Sequence, residues 1–304
     1  MKKAIKRLVE YFFVLSSHLP AWFHYAVSDA LFPLVYHVVR YRRSVVRRNL
    51  TASFPEKTAK EIKRIERGFY HFFCDYIVET CMLLSFSPEE MRKRMKITGG
   101  EAISEAARNN DTVILFLGHY GNWEWISSMP LWVAPDVHCS QLYRPLNNEA
   151  FESVFMRLRS RFGGENIPKN EALRRILTFR REGTKAIIGF IADQSPRPQN
   201  IHDRIAFLHQ DTPVFTGGER IAKKLNAPVY FADVKRVSRG HYECELQLMT
   251  TNPTEHPDWE ITNEYMRRLE AAIRRQPEIW LWSHKRWKHS HGPAEEMPAE
   301  NSTE

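Results

Sequence analysis

The chain is short of several features that would point to common functions. Its 304 residues hold four cysteines, Cys74, Cys81, Cys139 and Cys244. None forms a Cys-x-x-Cys pair, so there is neither a disulfide framework nor a redox motif, and the chain reads as facing a reducing compartment. Cys74 and Cys81, seven apart on one helical face, read as small core residues. There is no zinc-finger spacing and no RNA-binding aromatic signature beside the net charge of +8, so nucleic acid is not expected as a partner. No Gly-x-Ser-x-Gly elbow is present, which weighs against a serine hydrolase. A clean membrane span is missing too: His24, Asp29, Pro33 and His37 interrupt the apolar stretch from Trp22 to Val39, and an Asp at mid-bilayer is costly. The basic start looks superficially like a signal peptide, but it has no clean small-residue cleavage site and its apolar part continues past Pro20. His284, His289 and His291 read better as a solvated basic tail than as metal ligands. No metal and no other cofactor is expected.

What is present is unevenly distributed. Lys2, Lys3, Lys6 and Arg7 open the chain, and Arg40, Arg42, Arg43, Arg47 and Arg48 close its first fifty residues, against Glu10 and Asp29 alone. Trp22, Phe23 and Tyr25 lie between the two basic groups. A basic, aromatic front end suits an interfacial helix pair on an anionic membrane surface, with a single N-terminal span and an ordinary buried hairpin as the alternatives, and with the arginines either meeting lipid phosphates on the cytoplasmic leaflet or forming a solvated face. Residues 1–50 are therefore expected to be an attachment segment, residues 51–292 an α/β domain, and the Pro/Glu-rich residues 293–304 a disordered acidic tail.

Within the central part, elements alternate. Ser53 with Glu56, and Ser87 with Glu90, read as capping boxes. The helix after Ser53 carries Ile62, Ile65, Phe69, Phe72, Phe73, Tyr76 and Ile77 at helical spacing, a stripe that is either core or the lining of an acyl groove. Strands are expected at Lys96–Thr98, Thr112–Leu117, Val137–Tyr143 and Lys185–Ala192, with helices at Glu101–Arg108, Asn122–Trp132, Asn148–Phe162 and Glu171–Arg181, the last capped by Asn170. A long polar loop over 193–213, a helix from Gly217, a hairpin of Val229–Val237 with Tyr242–Met249, and a helix capped by Asp258 complete the pattern. Such alternation argues for an α/β fold with a largely parallel central sheet flanked by helices, here with N-terminal membrane-associated helices. In such sheets chemistry gathers at the carboxyl ends of strands. His119, Arg144 and Asp193 each fall just past one.

The centre of the chain is Thr112–Trp125, TVILFLGHYGNWEW. An apolar strand ends in a turn bracketed by Gly118 and Gly121, with His119 between them and Glu124 five residues on. In one continuous helix that spacing would put the two side chains about 140° apart, so the turn must fold them together. A carboxylate on one imidazole nitrogen leaves the other free to take a proton.

His119-x4-Glu124 resembles the catalytic block of the lysophospholipid acyltransferase superfamily, and the fuller GHYGNWE resembles its lipid A biosynthesis (late) acyltransferase branch. Tyr143-Arg144-Pro145-Leu146-Asn147-Asn148, Ala192-Asp193-Gln194 and Ala227-Pro228-Val229-Tyr230 are similar to the family's second, third and fourth blocks. The segment Phe207–Pro213 departs from the expected glycine-rich pattern. The run from Pro277-Glu278 to Trp282-Ser283-His284-Lys285-Arg286-Trp287 resembles a C-terminal block specific to the lipid A branch.

The resemblance implies transfer of a fatty acyl chain from an acyl thioester, on acyl carrier protein, to a hydroxyl of a lipid A precursor at the cytoplasmic face of a bacterial inner membrane. It implies His119 as general base, Glu124 orienting it, no covalent enzyme intermediate, and Asn122, Arg144 and Asp193 on the acceptor side. Backbone N–H groups of the turn after His119 are the expected oxyanion donors. Arg144 suits an acceptor phosphate. Asp193 either caps the following loop, positions the arginine or orders the acceptor. Other readings are a glycolipid or aminolipid acceptor, a thioesterase or lipid hydrolase using the same pair on water, and a silent membrane-binding protein of the same fold.

Overall fold

The computed structural model describes residues 2–292, with side chains from Lys6 onward; the acidic tail expected at 293–304 lies outside the described residues. The chain opens with a helical hairpin, α1 (Lys2–Ser17) and α2 (Ala21–Pro33), turned just before Pro20, whose fixed φ suits the entry to a helix. A π-helical turn, Leu34–Val38, follows directly. This hairpin is amphipathic. Phe32 and Tyr36 are buried against α4 (Ala59–Met82), while Leu8, Tyr11, Phe12, Leu15, Trp22, Val38 and Val39 are exposed. Polar contacts fix its inner side: the Ser28 hydroxyl donates to Asp75 at 2.6 Å, and Arg239 reaches both Asp29 and Asp75 at 2.6 Å. The Asp29 that argues against a span is thus paired. Among the described residues no helix is long and apolar enough to cross a membrane.

The segment after the hairpin differs from expectation. α3 (Arg43–Ser53) runs through the boundary drawn at residue 50, and Ser53 ends that helix instead of capping the next. The capping box of α4 is Thr58 with Glu61: the Thr58 hydroxyl accepts from the Glu61 amide, and the Glu61 carboxylate accepts from the Thr58 amide. Arg43 and Arg47 turn inward to the fully buried Glu66, and Arg42 donates to the Ser283 carbonyl. These three arginines therefore serve the fold, although Arg42 is exposed, as are Arg40 and Arg48. Most of the stripe of α4 is core: Ile62, Ile65, Phe69 and Phe72 are at most 3 % exposed, and burial of each contributes about 1.5–3 kcal/mol, while Phe73 and Tyr76 are partly buried and Ile77 is exposed.

The central sheet has seven strands in the order β1 (Met95–Thr98), β9 (His241–Thr250), β8 (Val229–Ser238), β2 (Thr112–Leu117), β5 (Lys185–Ile191), β3 (Val137–Tyr143) and β4 (Glu165–Pro168). Every pairing in it is parallel except β8 with β9. The fold is thus mixed α/β with a mostly parallel sheet flanked by helices. β2 is buried along its whole length, as a strand covered on both faces must be.

The flanking helices are α5 (Pro88–Arg94), α6 (Gly100–Asn110), α7 (Glu149–Arg159), α8 (Ala172–Arg181), α9 (Gly217–Leu225) and α10 (Glu260–Arg275). Ser87 caps α5, but Glu90 does not complete the expected box and pairs with Arg94 instead; Asn148 caps α7. Several details differ. Trp123–Leu131 is a 3-10 helix, not an α-helix; Pro130 within it has no N–H to donate. Asn170 lies in a 3-10 turn and does not cap α8, and a short edge strand, β4, precedes that turn. Asp258 pairs with Lys223, while the start of α10 is capped from α9: the Glu219 carboxylate accepts from the Trp259 and Thr262 amides at 2.8 and 2.9 Å. The expected loop over 193–213 contains a hairpin of β6 (Arg204–Phe207) and β7 (Gln210–Pro213).

Candidate active site

Strand register builds the centre of the site. In the parallel pair β2–β5, Leu117 stands opposite Ile191. Two residues past each strand come His119 and Asp193, so the register alone delivers them side by side. Their contact is close: His119 Nδ1 lies 2.6 Å from Asp193 Oδ1, and the His119 backbone N–H donates to Asp193 Oδ2 at 2.9 Å. Burial would push the Asp193 carboxyl up. Attraction to His119 and hydrogen bonds from His119 and Trp280 overcome that and hold it at about 2. Asp193 is therefore anionic, and it accepts the Nδ1 proton. That leaves Nε2 as the free basic nitrogen. The Gln194 side-chain amide sits 3.2 Å from it.

The turn needs both of its glycines. At Gly118 a Cβ would lie 2.7 Å from Leu269 Cδ1. Gly121 has φ +60°, and a Cβ there would lie 2.7 Å from Val234 Cγ1.

The carboxylate that meets His119 is thus Asp193, and the expected Glu124 orientation of the imidazole is corrected. Glu124, 4 % exposed, is gripped by Arg159 at the end of α7, with Nε and Nη2 donating to its two oxygens at 2.8 and 2.7 Å. Burial works against the Arg159 charge, and Glu124 more than restores it. Asn122 turns away from the site. It is fully buried, its Oδ1 accepts from the Trp125 amide at 3.3 Å, and its Nδ2 donates to Glu79 at 2.9 Å. Tyr242 also donates to the Glu79 carboxylate, whose pKa burial pushes up, and the Trp125 indole donates to the Glu79 backbone carbonyl. Asn122 therefore anchors the turn and lines no part of the cavity.

A cavity of about 1000 Å³ opens at the strand ends, and His119, Trp123, Glu124 and Arg159 line it. Its apolar part lies along Leu115, Leu117, Ile126, Met129, Cys139 and Ile191. Arg144 and Lys169 stand on its wall, as do Arg197 and Lys288, all four exposed. Arg144 thus joins His119 at the cavity, as its place beyond β3 suggested, while Asp193 lies behind the imidazole.

Several residues at the site gave little sequence signal. Arg159 is one of many helix-terminal arginines. Gln194 follows Asp193 in the third block and was readable there. His284 belongs to no solvated tail: it lines the cavity, its Nε2 accepts from the Ser195 amide at 3.3 Å, and burial lowers its pKa to about 4. Among the described residues no His/Cys/Asp/Glu group is arranged to hold a metal ion.

The site chemistry, a carboxylate-held imidazole at the mouth of a largely apolar cavity, meets a matching comparison with known proteins. Residues 2–289 match the family of bacterial lipid A biosynthesis acyltransferases. The chain belongs to this family. It is similar to the lipid A biosynthesis palmitoleoyltransferase of Escherichia coli (strain K12), 25 % identical over 252 residues that span 82 % of this chain and 80 % of that one. It is also similar to the lipid A biosynthesis myristoyltransferase of the same organism, 23 % identical over 249 residues spanning 79 % and 73 %. A lipid A biosynthesis acyltransferase of Shigella flexneri matches at 25 % over 252 residues, 82 % and 80 % of the two chains. As a lipid A acyltransferase, the chain is an O-acyltransferase. The block residues Gly118, His119, Gly121 and Glu124 sit on its cavity wall or in the turn that shapes it.

Proposed function

We propose that this lipid A acyltransferase moves a fatty acyl chain from acyl carrier protein to a hydroxyl of a lipid A precursor, with His119 as general base held by Asp193. The observation that carries the reading is the imidazole fixed through Nδ1, with Nε2 left to the cavity. The acceptor hydroxyl gives its proton to Nε2 as its oxygen attacks the thioester carbonyl carbon. The tetrahedral intermediate then expels the thiolate, which takes that proton back from the imidazolium, leaving ester and thiol. Acyl transfer is direct, so no enzyme nucleophile is needed. Gln194, beside Nε2, marks the place that the incoming hydroxyl takes.

Backbone donors of the turn are largely committed: the His119 amide to Asp193 and the Gly121 amide to the Ile279 carbonyl. We therefore assign the developing oxyanion to Arg159, a cation held in the cavity wall by Glu124. Arg144 and Lys169, with Arg197 and Lys288, supply cations for the acceptor's phosphates. The cavity volume is at the top of the usual range for ligand sites, and its apolar lining suits an acyl chain. The exposed aromatic and aliphatic side chains of α1 and α2, with Arg40 and Arg48, suit attachment to an anionic leaflet, the cytoplasmic face of a bacterial inner membrane.

The test is mass spectrometry of the products formed from acyl–acyl carrier protein and an under-acylated lipid A precursor. A gain of one acyl chain with the wild-type protein, lost in His119→Ala, is the expected result. Free fatty acid without acylated lipid would overturn transfer in favour of hydrolysis.

A further inference from the structure

The block from Pro277 to Trp287 puts His284 on the cavity wall, and it touches the turn and Asp193 at three further points. Leu281 N–H donates to the His119 carbonyl at 3.1 Å, and Gly121 N–H donates to the Ile279 carbonyl at 2.9 Å. Trp280, 3 % exposed, donates its indole N–H to Asp193 Oδ2 at 2.8 Å. Tyr120 and Trp280 pair as an antiparallel bridge between these contacts. The carboxylate is thereby shared out. Oδ2 takes the indole N–H and the His119 backbone N–H, and Oδ1 is left for the imidazole.

We propose that Trp280 is a positioning residue for the His119–Asp193 pair: its indole N–H fixes the rotation of the carboxylate, while the backbone around it clamps the turn that carries His119. The inference rests on the general-base reading of His119. A purely packing role would need only the ring, which is wedged edge-on against Trp282 (4.7 Å between ring centres), Phe207 and Trp287 (5.9 Å each). Phenylalanine would fill most of that space but could not hold Oδ2. The same block brings Arg286, 1 % exposed, whose three guanidinium nitrogens have no hydrogen-bond partner. Burial pulls its pKa down to about 10, and the attraction of Asp193 is the main influence opposing that fall. A buried, unbonded cation is expensive; here it adds positive potential where the Asp193 charge must be kept.

Trp280→Phe and Trp282→Phe make a matched pair. Trp282 is fully buried in the same block, but its indole donates to the Pro277 carbonyl, at 2.6 Å, and not to the site. Trp280→Phe is expected to lower kcat at least about tenfold with the donor KM within about twofold. Its acid limb of kcat/KM should move to higher pH, because a carboxylate relieved of one donor holds more charge towards the imidazole. Trp282→Phe should lose stability but keep kcat and the pH profile. In an Asp193→Asn background the effect of Trp280→Phe should vanish, since the two act as one unit. Wild-type kcat and pH profile in Trp280→Phe, an equal fall in Trp282→Phe, or multiplying effects in the double variant would each overturn the proposal.

Should Trp280→Phe fail to fold, the contact is read from its other end. Asp193→Asn should displace one of the eight tryptophan indole N–H resonances well beyond the rest, and no such displacement would overturn it. Full activity of His119→Ala would sink the general-base reading instead, and the indole spectrum would still decide whether Trp280 holds Asp193.

Discussion

Two carboxylates serve one cavity, and they are held in opposite ways. Asp193 sits behind an imidazole and takes its Nδ1 proton; Glu124 sits in the wall and takes a two-pronged guanidinium. The first pair leaves a basic nitrogen free at the cavity. The second leaves a cation there. In the proposed reaction the first pair supplies the base, where Glu124 was expected as the partner of His119, and the second supplies the charge for the oxyanion, where backbone N–H groups of the turn were expected. The difference comes from topology. Asp193 reaches His119 because two parallel strands end level. Glu124, on the 3-10 segment after the turn, faces the end of α7 instead.

The predictions separate the two pairs, beginning with the largest effect. His119→Ala should lower acyl transfer by about 10³-fold or more, within the range typical of a lost general base, read by product mass spectrometry with a circular dichroism spectrum unchanged. Asp193→Asn should lower kcat by about 10²-fold, because the amide can offer the imidazole its N–H and favour the wrong tautomer. Glu124→Gln should show another signature: a guanidinium left uncompensated in a mostly buried place, with a loss of about 3 kcal/mol of stability in urea denaturation alongside a fall in kcat. Equal stability of Glu124→Gln and wild type would show that the Arg159 charge is not held in the cavity wall by Glu124. Arg144→Ala should act mainly on the acceptor, raising its KM by roughly 3- to 10-fold with the donor KM unmoved, and less so at high salt because the residue is exposed.

A last prediction concerns His284 and the stability of the fold, with no bearing on turnover at neutral pH. Its folded pKa of about 4 lies below the ordinary 6.5. An unfolded chain therefore binds a proton at that ring near pH 6.5, and the folded protein does not until near pH 4. The contribution is fully present above pH 6.5 and is lost as pH falls towards 4, by up to about 3 kcal/mol. Relative to His284→Gln, the wild-type protein should lose that much stability between pH 7 and 4. Identical pH dependence would show that the ring is not held neutral by burial.

Much of this site is legible in the sequence. The strand at Thr112–Leu117, the Gly-bracketed turn and the placement of His119, Arg144 and Asp193 beyond strand ends all follow from apolar runs and their stops, and the structure puts His119 and Arg144 on one cavity with Asp193 against the imidazole. The partners were not readable. A spacing of five residues shows that Glu124 is near His119 in sequence, but not that Arg159, thirty-five residues further on, competes for it and wins. Asn122 looked like a polar residue in a catalytic block, and only the packing of α4 shows Glu79 waiting for it in the interior. Caps failed for a similar reason: Glu219 reaches the start of α10 from another helix, which no local pattern records. Trp280 stands eighty-seven residues from Asp193, and its block carried a resemblance without a role.

The most direct test of the account is the single-turnover rate of acyl transfer in Asp193→Asn, measured beside wild type with acyl–acyl carrier protein and an under-acylated lipid A precursor. The account predicts a folded protein that transfers about 100-fold more slowly. Transfer by Asp193→Asn at the wild-type rate would contradict it, because the base would then be working without the carboxylate that the fold brings to it.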